Sequence, residues 1–218
     1  MDNFKLPTEN AFLMFQARES LKGKWRLAVI TFLIYFLIMS LGGVFSSLFP
    51  FTVISYKTDF LFSILPPLVA LLIAGPMGLG AAIFSLSISR NAENTDILQI
   101  FEAFREFDSF INSFILGLFV ILFVCFGLIL LIVPGIIIYL SYSMAFYIMA
   151  DNREIKPMDA LSLSKKMMLG NKSRLFFLYC RFIGWYFLSF LTAGIGFLWF
   201  FPYFNVSVAK FYEDLKQA

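Results

Sequence analysis

Arg181, in the stretch LYCRFIGW, stands about two helical turns inside an apolar run. An ionisable group at such a depth is costly, so its position marks it as a functional candidate. Two destinations are open to it. Its long stem can snorkel until the guanidinium reaches the headgroups. Alternatively, it faces the interior of a helical bundle and meets an anionic group or a polar partner such as Asn205. Asn112, close to Asp108 at the start of another apolar run, completes the set of candidate polar residues. No carboxylate lies within the apolar runs. That leaves no obvious proton or sodium relay, and the runs carry no long polar stripe to line a water-filled pore.

Enzyme chemistry finds little to work with. The chain has no histidine, which excludes imidazole acid–base catalysis, imidazole metal ligation and histidine relays. Its two cysteines, Cys125 and Cys180, both fall in apolar runs, and two thiols alone do not make a zinc site. Neither G-x-S-x-G nor the phosphate-binding G-x-x-x-x-G-K-[ST] occurs. The expectation is a protein without catalytic residues, metal or cofactor, and with no nucleic-acid partner. Small residues in GPMGLGAAIF, 75–84, suit close helix packing better than ligand binding.

The elements that position these residues follow from length and hydropathy. Only 14% of the residues are charged and 60% are hydrophobic, against about 25% and about 45–50% in soluble domains. The apolar residues come in long runs, the mark of membrane spans. The first, from Trp25, has a basic flank but an apolar core too long for a signal sequence and is expected to remain as an anchor. In the second, Pro66-Pro67 suits the first turn of a helix and Gly75-Pro76 predicts a kink. As one helix, residues 110–150 would be roughly 60 Å long at about 1.5 Å per residue, twice the roughly 30 Å hydrocarbon core. Two crossings are required, and Pro134-Gly135 reads as the corner between them. LTAGIG, 191–196, supplies the turn of the last region. The candidate hinge and turn residues are Pro76, Pro134, Gly135, Gly194 and Pro202.

The expected fold is all-α: a polytopic membrane helical bundle over a single domain, 1–218. Six transmembrane helices (about 25–49, 63–89, 110–132, 134–150, 174–192 and 197–213) form three hairpins. An amphipathic cytoplasmic helix precedes each hairpin. In the first, Leu13, Ala17 and Leu21 share a face; in the second, Asp96 and Gln99 have capping-box spacing. In the third, Pro157 opens the helix, Leu161 and Met168 share a face and Gly170 closes it. Each either lies in the interface or packs under the bundle. Lys and Arg gather in these segments and at both ends, whereas the opposite side has only Lys57. Both termini are therefore expected in the cytoplasm. GKWRL and NKSRL precede the first and fifth spans, a faint sign of an internal repeat.

Several stretches carry a family resemblance: ARESLKGKWRLAV, VPGIIIYLSYSMAFYIMADN, MDALSLSKKMMLGNKSRLFFLY and GIGFLWFFPY. They resemble a bacterial family of six-span membrane proteins, common in low-GC Gram-positive species and of unknown function. The resemblance is strongest from Val133 onward and implies a plasma-membrane location. It brings no catalytic residues. A fainter likeness links the chain to the membrane region fused to some glycerophosphodiester phosphodiesterases. The function expected from these features is a non-enzymatic scaffold or accessory module binding lipids, other membrane proteins or further copies of itself. The alternative is a transporter or export/immunity factor for a small or amphiphilic molecule.

Overall fold

The computed structural model describes residues 8–48 and 56–217. Its elements are α1 (Asn10–Leu21), α2 (Trp25–Leu48), α3 (Tyr56–Ser89), a 3-10 helix (Ile97–Phe104), α4 (Phe107–Leu130) and α5 (Ile132–Tyr142). They continue as α6 (Ala145–Asp151), α7 (Pro157–Met167), α8 (Lys172–Leu191) and α9 (Phe197–Gln217), with no strand among the described residues.

Four stretches among the described residues are long and apolar enough to cross a membrane: Pro67–Ser89, Phe107–Leu130, Ile132–Asp151 and Lys172–Leu191. Residues Asn10–Leu21 and Trp25–Ser40 qualify only together, across a 99° bend. Thus four or five candidate crossings stand where six were expected. The helix α9 is not among them, because Lys210, Glu213, Asp214 and Lys216 charge its second half. Outer faces of α4 and α8 leave Ile121, Leu122, Phe126, Phe187, Leu188 and Phe190 exposed. An apolar surface of that extent fits a lipid-facing protein.

The chain turns at Leu131, three residues before the expected corner, where the backbone is extended (φ −168°, ψ 154°). Pro134-Gly135 sits instead in the first turn of α5, where a missing N–H breaks no hydrogen bond. The two helices then run antiparallel and close. A Cβ at Gly127 would lie 2.9 Å from Cα of Gly135, and the Phe123 and Tyr142 rings stack at 5.5 Å. The turn between α8 and α9, 192–196, falls where LTAGIG placed it. Gly194 adopts φ +89° there. The turn of the first expected hairpin, 49–55, lies outside the described residues.

Two local expectations are corrected. Pro66-Pro67 does not open a helix: α3 begins at Tyr56 and continues through both, and through Pro76, to Ser89. Pro76 is buried among neighbouring helices, the setting in which prolines inside apolar helices are tolerated. Asp96 occupies an N-cap position without making a side-chain cap bond. Gln99 turns back to the Asn94 carbonyl instead (3.1 Å), and the segment winds as a 3-10 helix.

The short helices pack under the bundle. Leu13, Ala17 and Leu21 of α1 and Leu161 of α7, with Met168 just after it, are at most 3% exposed. α1 lies on α9, the 3-10 helix on α3 and α7 on α6.

Candidate functional site

A cavity of about 370 Å³ opens where α2, α3, α4, α5, α6, α8 and α9 meet. Small residues on α3, Gly78, Ala81 and Ala82, make the room. The walls are aromatic: Tyr35, Tyr139, Tyr142, Tyr147 and Tyr179 with Phe32, Phe36, Phe146, Phe201 and Phe204. No charged residue lines it. Tyr139, 45% exposed, places the mouth of the cavity at the outer surface of the bundle. Such a chamber offers ring faces and phenolic hydroxyls, which suit an apolar or amphiphilic guest. Among the described residues no group of His, Cys, Asp or Glu could hold a metal ion.

One wall is discontinuous. The apolar stretch Ile132–Asp151 is divided into α5 and α6 at Ser143-Met144, and Tyr142, Ser143, Phe146 and Tyr147 around the break all face the cavity. At the break the Ser141 carbonyl accepts a 2.8 Å hydrogen bond from Ser164 of α7, between two buried residues. A carbonyl at a helix break must be satisfied from outside the helix, and α7 supplies the donor.

An ionic cluster lies behind Tyr147, outside the cavity lining. Tyr147 stacks on Tyr212 (5.9 Å), and the Tyr212 hydroxyl donates to Asp151 Oδ2 at 3.2 Å. Arg90 Nη2 donates to Asp151 (2.7 Å) and to Glu213 (2.6 Å), and Lys216 also pairs with Asp151. The ends of α3, α6 and α9 are thereby tied together. Burial opposes the charge of Arg90, yet the two carboxylates outweigh it and raise its pKa. A second knot joins α1, α8 and α9. Arg174 Nη2 donates to Asp214 Oδ2 and to the Thr8 carbonyl, both at 2.5 Å, and the Thr8 hydroxyl also donates to Asp214. Burial raises the Asp214 pKa, but the Thr8 and Arg174 hydrogen bonds dominate and hold it below the usual carboxylate range.

Of the candidate polar residues, Asn205 lines the cavity. Its backbone carbonyl accepts from Tyr147 (3.3 Å), and its side-chain amide donates to Phe201 of its own helix (2.9 Å). Arg181 does not join it. That guanidinium is on an exposed face of α8, beside an open groove with Arg174 and residues 8–10. Asn112 is half-buried in α4 and does not line the cavity. Among the hinge candidates, Gly194 sits in a turn, Pro134 and Gly135 open α5, and Pro76 and Pro202 are buried within α3 and α9. The tyrosine wall and the pairing of Arg90, Asp151 and Glu213 were not visible in the sequence. Their one local signal was tyrosine at 139, 142 and 147, with Ser141 and Ser143 between them, in an otherwise apolar run.

Residues 117–218 match the sequence model of a family described as "Protein of unknown function (DUF975)". The match falls on the part of the chain where the resemblance to an uncharacterised family is strongest. No curated protein and no solved structure matches the chain.

Proposed function

We propose that this chain is a non-enzymatic integral membrane module that holds an apolar or amphiphilic molecule, in the first instance a lipid, between its helices. The uncharged aromatic cavity carries this reading. In the proposed arrangement α2, α3, α4, α5–α6, α8 and α9 make six crossings in three hairpins of a bacterial plasma membrane. Both termini lie in the cytoplasm, on the side where lysine and arginine concentrate. Other membrane proteins or further copies of the chain are its proposed partners. A second reading, transport or export of such a molecule, is favoured by the broken wall at Ser143-Met144, since discontinuous helices beside a cavity are a recurrent transporter device.

The test is mass spectrometry of the protein purified in mild detergent, together with the Ala82→Trp variant. Ala82 is buried and lines the cavity, so an indole there fills it. A reproducible co-purifying lipid that the variant loses, at unchanged helicity, is expected. If neither a bound lipid nor a reproducible partner is found, the reading fails. Uptake and efflux profiles of a deletion strain identical to those of its parent would remove the transport alternative.

A further inference from the structure

All three tryptophans of the chain line one groove. Trp25 comes from α2, Trp185 from α8 and Trp199 from α9, and the groove they share has a volume of about 320 Å³. A generic aromatic belt would scatter tryptophans around the circumference at both interfaces. Here they converge.

The polar atoms of the groove are unequally matched. Two of its hydroxyl residues are already engaged: Ser189 donates to the Trp185 carbonyl and Thr192 to the Ser189 carbonyl, each at 2.8 Å, while the Gly196 N–H donates to Thr192 Oγ1 at 2.9 Å. What remains is mostly donors, with the Tyr203 hydroxyl able to donate or accept. An indole carries an N–H and no acceptor, and a guanidinium has five N–H groups and none. Arg18, exposed on α1, is the charged residue lining the groove, and it has no ion pair among the described residues. The walls otherwise are apolar, Leu188 and Phe200 among them. A groove with one cation, indole donors and an apolar floor is complementary to an anionic head rich in acceptor oxygens on a hydrocarbon chain.

We propose that this groove is a binding site for an anionic phospholipid, with Arg18 on the phosphate, the indole N–H groups on phosphate or ester oxygens and an acyl chain along Leu188 and Phe200. The site rests on the membrane reading above and is distinct from the aromatic cavity.

Because the groove holds every tryptophan of the chain, tryptophan fluorescence, excited where tyrosine does not absorb, reports on it alone. The chain is reconstituted in phosphatidylcholine vesicles containing a minor fraction of phosphatidylglycerol, with bromine on the acyl chains of one lipid or the other. Brominated phosphatidylglycerol is expected to quench as though enriched roughly fivefold at the groove, the scale of one basic side chain at an anionic surface. Arg18→Gln is expected to abolish the enrichment while leaving quenching by pure brominated phosphatidylcholine unchanged. Equal quenching by the two lipids at matched mole fraction would overturn the site while keeping the chain in the bilayer. Absence of quenching by either would overturn the membrane reading as well.

Discussion

Asp214 shows how a single carboxylate can hold three segments. It accepts from Thr8 at the start of the described chain and from Arg174 on α8, while Arg174 also lies over the Phe211 ring at 4.9 Å. The partner cation does not titrate in the accessible range, so the knot depends on the protonation of Asp214. Its folded pKa lies below its ordinary value, so the stabilisation is present above about pH 4 and is lost as pH falls through the folded value. Asp214→Asn is therefore expected to lower the melting temperature in detergent at pH 7. The difference between wild type and variant should vanish as the pH drops below about 4. A constant difference across that range would refute the linkage. Arg181, by contrast, is exposed; its depth in the sequence says nothing about the side of the helix it occupies.

Glycine sets the spacing of the apolar helices. α3 and α4 cross where a Cβ at Gly117 would lie 2.9 Å from Cα of Gly75, and one at Gly75 would lie 2.3 Å from the Ser113 carbonyl oxygen. Backbones this close exchange van der Waals contact over their whole surfaces, the main attraction available to helices in lipid. Gly117→Leu should force them apart and cost about 1–3 kcal/mol, as overpacking does. Gly184→Leu, made on α8 where nothing lies within 4 Å, should cost little. Thermal unfolding of both variants in the same detergent checks the contrast, and equal losses would show that crowding is not the cause. At the α5–α6 break, the Ser164 hydroxyl makes the buried wall of the cavity depend on a polar helix.

Across the whole molecule the short helices follow one rule. α1 lies on α9, the 3-10 helix on α3 and α7 on α6, and the Arg90, Asp151 and Glu213 pairing joins the C-terminal end of α3 to α6 and α9. Gly23 and Gly170, at φ 78° and 79°, make the same left-handed step before α2 and α8. Orientation can be tested on a chain whose Cys125 and Cys180 are replaced by serine. Ile195→Cys, in the α8–α9 turn and 62% exposed, should react with an impermeant thiol reagent in whole cells. Arg105→Cys, whose native side chain is 74% exposed, should react only after permeabilisation. The opposite pattern would invert the topology.

Much of the architecture was legible because its causes are local. Hydrocarbon length predicts turns near 131 and 194, the charge-poor runs mark candidate membrane spans, and helical spacing puts Leu13, Ala17 and Leu21 on one face. The Gly-rich segment at 75–80 likewise announced close packing. What neighbours along the chain cannot encode is which face of a helix meets which other helix. Asn205 enters the cavity and Arg181 does not, Asp96 leaves its cap unmade, and α3 continues through its paired prolines. Arg90 meets partners 61 and 123 positions away. A helix every face of which is apolar has no amphipathic stripe to declare its inner side. Only packing against the other helices selects it, and with it the tyrosines, tryptophans and ion pairs that come together.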